Sequence, residues 1–280
     1  MRRRRLSAKQ QLTRILVSII GIAIALFFVG PLLWYIFAPF NPSPTLAVEI
    51  PKTWSLANFV KVTSNQAAMR GLFPNSLLIS GSVMILAAGL STLAAYGLSR
   101  GNIPGRNIIT YVLILFSSVV TGTASMVPIF VLIFNLGMYD TYQGIILTMA
   151  GGALPTSIFI LSDFVEGIPR SYEEAALVSG ARPYQVFRDI VVPTLRPGIL
   201  VTGILAFVGA WGSFLLPLIL LRNPNYQPAA ITIYQFYGQE GNPNVPAVAA
   251  YAVLYTLPVL LLYLLINWRY GFRFYGGIKQ

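Results

Sequence analysis

The chain has 280 residues, 56% hydrophobic and 10% charged, too little polar surface for a water-soluble domain and a composition that argues for a membrane protein. It has no Cys and no His, which excludes disulfides, thiolate or imidazole metal sites and hydrolase triads built on His. The formal net charge of +11 does not argue for nucleic acid, because no aromatic-interleaved basic surface accompanies it.

In chain order, Arg2, Arg3, Arg4, Arg5, Lys9 and Arg14 precede the first long apolar run, as expected of a cytoplasmic N-terminus. That run is too long for the apolar region of a cleaved signal, so it reads as a retained span. Six charge-free stretches can cross about 30 Å of hydrocarbon. They are Ile15–Ala38, Asn75–Ser99, Ile108–Phe134, Thr141–Ser162, Pro197–Leu221 and Pro246–Trp268. None alternates as barrel strands do, so all six are expected to be helices. With the N-terminus inside, the inner segments hold fifteen Lys and Arg and the outer ones four: Lys52, Lys61, Arg70 and Arg222. The expectation is an all-α, polytopic membrane protein with six spans, N-in/C-in, forming one domain over 1–280. Within it, 1–14, 163–196 and 269–280 are inner segments, and 41–73 and 222–245 are long outer loops. Pro128, Pro155, Pro217 and Pro258 fall inside spans and suggest kinked or broken helices around a cavity.

No Asp, Glu, Lys, Arg or His lies within the six expected spans. Ion-coupled carriers usually hold an intramembrane ionisable group, and a charged cargo would want a counter-charge, so the pattern favours a neutral polar solute. Candidate lining groups are Asn75, Ser76, Tyr96, Thr121, Thr123, Ser125, Gln143, Thr148, Trp211, Ser213, Tyr251 and Tyr255. Asn75, Tyr96, Ser125, Gln143, Trp211, Ser213 and Tyr251 are carried forward as pathway candidates. There is no G-x-x-x-x-G-K-[ST] phosphate loop, so any nucleotide drive must come from another polypeptide.

Residues 171–193, SYEEAALVSGARPYQVFRDIVVP, place a charged insert between apolar runs. Ser171 and Glu174 have the spacing of a capping box, with Glu173 and Glu174 at the positive end of the helix dipole. Ala175, Ala176 and Leu177 continue a short helix with a small-residue face, and Gly180 suits its C-terminus. Pro183 suits the first turn of a second short helix over 183–191, which Pro193 is expected to close. Arg182, Arg188 and Arg196 oppose Glu173, Glu174 and Asp189, a balance suited to a protein groove rather than to anionic lipid.

The run EAALVSG, nine residues, then IVVP resembles the EAA loop of ABC-transporter importer permeases, E-A-A-x3-G-x9-I-x-L-P. Glu174, Ala175, Ala176, Gly180, Ile190 and Pro193 match, with Val192 at the usual Leu. NSLLISGSVMILAAGLSTLAAYGLSR and GILAFVGAWGSF are similar to spans of the sugar (maltose-type) branch, although Gly212 and Ser213 replace its usual Asn and acidic pair. The resemblance implies a type I importer permease fold in the cytoplasmic membrane of a bacterium or archaeon. It also implies that Glu173, Glu174, Ala175, Ala176, Leu177, Gly180, Ile190 and Pro193 couple to a cytoplasmic ATPase. The ending YGFRFYGGIKQ resembles that branch's tail and implies ATPase contact by Gly277, Ile278 and Lys279. Implied partners are a second homologous permease, two copies of the ATPase and an extracytoplasmic solute-binding protein, with membrane lipid around the spans. The chain is expected to be non-catalytic and without a cofactor of its own, ATP and Mg being bound by the ATPase. Sugar or neutral polyol is the favoured cargo. Permeases for peptide, phosphate, polyamine and glycerol phosphate share the loop, and a self-sufficient carrier, a channel or a membrane enzyme fits the composition less well.

Overall fold

In hydrocarbon no water can meet backbone N–H and C=O groups, so apolar runs of this length close their hydrogen bonds internally. The computed structural model describes residues 8–42, 49–101, 103–106, 108–109, 111–113, 115, 123–237 and 243–270, and its regular elements are helical. Five described helices are long and apolar enough to cross a membrane.

Helix α1 is Ala8–Phe37, and a 3-10 turn, Ala38–Phe40, leads to the short α2, Ala57–Ser64. Asn58 ties this connection down: its buried amide donates to Pro39 O at 3.0 Å and Asn41 O at 2.9 Å. Helix α3, Gln66–Arg70, runs through a π turn at Gly71–Asn75 into α4, Ser76–Arg100. The second span therefore begins at Gln66, not at Asn75, because the widened turn accommodates Pro74, which lacks an N–H.

Of the expected third span, α5, Met126–Asn135, is described after a 3-10 turn at Thr123–Ser125; residues 107, 110, 114 and 116–122, Thr121 among them, lie outside the described residues. Helix α6, Tyr142–Glu166, is capped by Thr141 Oγ1, which accepts from Gly144 N at 3.1 Å. The insert forms α7, Arg170–Val178, and α8, Pro183–Val186. A second π turn, Phe187–Val191, joins α8 to α9, Val192–Trp211.

The expected span 197–221 is broken. Helix α9 ends at Trp211, and α10, Leu215–Leu220, starts after a non-helical Gly212–Phe214. Pro217 has no N–H to offer the Ser213 carbonyl, so helix cannot pass through with its bonds intact. Pro155 and Pro258 are carried inside their helices. The chain continues through α11, Ala229–Thr232, a 3-10 turn at Ile233–Phe236, and α12, Val245–Tyr270.

The described residues fall into two compact units, divided at Asn65/Gln66, Gln235/Phe236 and Thr256/Leu257. In the first, the Tyr35 hydroxyl donates to Ala252 O at 2.7 Å, and Tyr251 packs on Phe236. The second is built on α4, α6 and α9. Ile79, Val83 and Ala87 of α4 meet Ile145, Met149 and Ala150 of α6 and Ala206 of α9 in one apolar cluster. A second cluster joins Ala95 to Leu161, Val165, Ile168, Val191 and Leu195. Gly198 permits the α9–α6 contact there, since a Cβ on it would lie 2.8 Å from the Phe164 ring. Large apolar side chains elsewhere face outward, Phe27 at 75% exposure and Ile85 at 71%, as lipid contact requires.

Candidate functional site

The insert folds as two short helices with a bend, but its details depart from the sequence expectation. Helix α7 starts at Arg170 with Pro169 as N-cap, and no side chain caps it. The Ser171–Glu174 capping box does not form. The Pro169 ring (φ −58°, ψ 127°) sets the entry two residues earlier, which moves Ser171 into the first turn, where its hydroxyl cannot serve as N-cap.

The C-terminus of α7 is as expected. Gly180 has φ +90°, Gly180 N donates to Leu177 O and Ala181 N to Ala176 O, both at 3.0 Å, which closes a Schellman turn. Pro183 opens α8, and Gln185 Oε1 accepts from Arg182 N at 2.7 Å. Pro193 does not close the second helix, because the path continues into α9. Val192 N reaches back five residues to Phe187 O, and this wider turn moves aside the carbonyl that the Pro193 ring would otherwise strike.

Glu174, Ala175 and Leu177 are exposed, Ala176 and Ile190 half-buried, and Val178 is 90% exposed. Tyr172 and Tyr184 also face outward. Ser179, Gly180, Ala181, Gln185, Val186, Asp189 and Ile190 line an open groove of about 340 Å³ beside them. Exposed apolar and aromatic side chains around a small-residue groove, in a charged segment, suit a protein partner.

Glu173 has the opposite placement. It is buried, and its Oε1 accepts from Arg100 Nε at 2.7 Å while Oε2 accepts from the Tyr96 hydroxyl at 3.1 Å. Arg100 Nη2 also donates to Val165 O at 2.9 Å and Ile168 O at 2.7 Å. Nearby, Arg106 Nη2 pairs with Glu166 Oε1 at 2.9 Å in a more exposed bridge.

A cavity of about 360 Å³ opens among α4, α5, α6, α9 and α10, where Val83, Met149, Leu205 and Leu216 supply apolar wall. Its polar groups are uncharged: Thr148, Thr156, Ser157 and Ser213. Hydroxyls on an apolar wall can exchange hydrogen bonds with a polar solute without the desolvation cost of a charge.

Among the seven pathway candidates, Ser213 lines this cavity; the other six do not. The Asn75 amide donates to Asn225 O at 2.8 Å and Gln227 O at 2.9 Å, and its Oδ1 accepts from Tyr142. Tyr96 faces Glu173, Trp211 is buried and stacked on Phe207, and Tyr251 is buried against Phe236. Gln143 is exposed at the start of α6, and Ser125 is half-buried in the turn before α5. Gly277, Ile278 and Lys279 lie outside the described residues.

Residues 91–271 match the family model described as the inner membrane component of binding-protein-dependent transport systems. This chain belongs to that family. It is 31% identical over 258 residues to the diacetylchitobiose uptake system permease NgcG of Streptomyces coelicolor, covering 89% of this chain and 82% of the relative. It is 30% identical to the trehalose transport system permease SugB of Mycobacterium tuberculosis, over 85% of this chain and 88% of that one. The trehalose/maltose permease MalG of Thermococcus litoralis is 29% identical, over 92% and 94%. In the crystal structure of a bacterial ABC transporter involved in import of the acidic polysaccharide alginate, one chain aligns over 96% of this chain and 100% of its own length. The TM-score is 0.82 at 18% identity, a likeness of fold. The family's region contains the insert, Arg100 and the α6 and α9 walls of the cavity.

Sequence reasoning counted Arg100 only as an inner-side charge and missed Thr156 and Ser157. One signal was available. Tyr96 and Arg100 are four residues apart on one helix face, ahead of an insert carrying two adjacent carboxylates.

Proposed function

We propose that this chain is one permease subunit of an ATP-driven importer, carrying a sugar or similar neutral polyol across the cytoplasmic membrane of a bacterium or archaeon. In this reading it has six spans with both termini inside, pairs with a second homologous permease, and docks its 171–193 knob on one of two ATPase subunits that bind ATP and Mg. An extracytoplasmic solute-binding protein delivers the cargo. The observation that carries the reading is the knob: a Gly180-terminated turn presenting Glu174, Leu177 and Val178 outward, in a member of this transport family. Saccharide transport by the relatives supports the cargo class, as do the uncharged hydroxyls of the cavity. A solved alginate transporter in complex with a saccharide-bound periplasmic protein supports the delivery step.

Mechanistically, ATP-driven closure of the motor subunits moves the knob. Because α8 continues through its π turn into α9, and α7 follows α6 directly, that motion reaches two walls of the cavity through the chain itself. The hydroxyl-lined space then opens alternately to either side, and the chain makes and breaks no covalent bond.

The test is purification of the tagged chain from its own membranes in mild detergent. An ATPase and a related permease in fixed stoichiometry, with trehalose or maltose stimulating ATP hydrolysis once the binding protein is added, are expected. A chain that elutes alone would overturn the importer reading.

A further inference from the structure

Three connections link the knob to the helices around the cavity. It is joined covalently to α6 through Gly167–Pro169 and to α9 through the π turn. Its connection to α4, another wall of the cavity, is non-covalent and includes side-chain hydrogen bonds from two α4 residues, Tyr96 and Arg100. The Arg100 guanidinium holds the Glu173 carboxylate of α7 with Nε and, with Nη2, the carbonyls of Val165 in the last turn of α6 and of Ile168 in the linker after it. Tyr96 donates to the other Glu173 oxygen, and its ring lies 5.0 Å from Phe187 of the second π turn. The side chains of Arg100 and Glu173 are 13% and 10% exposed.

We propose that Arg100 and Glu173 are positioning residues, a latch that makes the cytoplasmic end of α4 move with the knob, so that the α4, α6 and α9 walls of the cavity respond to the motor together. This rests on the coupling role proposed for the knob. The geometry supports a rigid link rather than a surface ion pair. A planar guanidinium bonded at once to a carboxylate of α7, a backbone carbonyl of α6 and one in the linker between them has little freedom to slip. Burial removes the competing water that makes exposed pairs weak. The latch also gives the two adjacent carboxylates of the insert different roles, with Glu173 turned inward to α4 and Glu174 turned out toward the motor.

The absence of Cys from the chain makes the test direct. Spin labels at Leu93→Cys on α4 and Ser171→Cys on the knob, both at outward-facing side chains and neither among the docking residues, report the α4–knob distance in the complex purified from native membranes. With Glu173 and Arg100 intact, one narrow distance is expected, the same without nucleotide and after trapping with ATP and vanadate. Glu173→Ala should abolish that single distance and make it nucleotide-dependent while the ATPase still co-purifies. Glu173→Gln, which can still accept from Arg100, should restore most of it. Arg100→Lys, whose single ammonium cannot reach three acceptors in the same geometry, should behave like the alanine variant and serves if Glu173→Ala fails to fold. A narrow, nucleotide-independent distance in both Glu173→Ala and Arg100→Lys would overturn the latch, as would a distance that already changes with the pair intact. If no ATPase accompanies the unaltered chain, the importer reading fails instead, and the nucleotide-free distances still show whether the pair holds α4 to the knob.

Discussion

The Tyr142 hydroxyl at the start of α6 donates to Asn75 Oδ1 at the head of α4 at 2.7 Å, and both Asn75 amide hydrogens are taken by the 222–228 segment. One buried amide thus pins two long helices and the connection after α10. Asp140 Oδ1 reinforces it from the same side, accepting from Arg222 N at 2.8 Å and Asn223 N at 2.9 Å.

Asn75→Ala removes three bonds from a buried site and strands the Tyr142 hydroxyl. The expected loss is about 2 kcal/mol, and about 1 kcal/mol for Tyr142→Phe. Thermal unfolding in detergent should show the ranking, with protease cleavage near 222–228 appearing first in Asn75→Ala. Equal melting temperatures for all three proteins would contradict the clamp.

Glu174→Arg changes an exposed charge, and Gly180→Val forces a β-branched residue to φ +90°, at a cost of about 1–3 kcal/mol confined to the turn. No side chain stands within 4 Å of a Cβ at Gly180, so the penalty is backbone strain rather than a clash. Both variants should insert in the membrane at normal levels yet recover little ATPase on co-purification. Uptake unchanged at equal expression would remove the knob from the coupling path.

Ser213→Phe places an aromatic ring into a cavity of about 360 Å³. Transport should fall by about tenfold or more, since a solute-sized space cannot hold both, while ATPase co-purification stays normal. Ser157→Ala, which removes one hydroxyl and adds no volume, should weaken transport less. If Ser213→Phe transports normally, the cavity is not on the route.

Gly198→Val sets a side chain where Phe164 already lies 2.8 Å from an added Cβ, and overpacking of this kind costs about 1–3 kcal/mol. The double variant with Phe164→Leu should recover part of the loss in melting temperature. No recovery would mean that α6 and α9 do not approach through this pair.

Much of the architecture was legible because hydrocarbon leaves the backbone one option. The runs beginning near Ile15, Thr141 and Pro246 become α1, α6 and α12, with ends within four residues of those expected except at the start of α1, which reaches back to Ala8. Gly180 was legible for a local reason: a residue between two helix-forming runs that must take positive φ is most readily glycine. The capping box failed through competition, since Pro169 set the helix entry first. Pro193 misled because the rule that proline ends a helix assumes α geometry, and a π turn relaxes it. The residues that line the cavity were the least legible part. Polarity marks a side chain that needs a partner, and for Asn75, Tyr96 and Trp211 that partner or packing surface is another part of the chain.

What the sequence determined by itself is whatever depends on local chemistry and solvent: helices from uncharged apolar runs, the absence of a phosphate loop, and a knob with family-specific spacing. The tertiary structure decided which of two adjacent glutamates turns inward, which hydroxyls share a cavity, and where the apolar run 197–221 breaks. Those outcomes depend on residues far apart in the chain. Arg100 and Glu173 are separated by 73 positions, and only the packing of α4 against α6 and α9 brings a guanidinium to that carboxylate.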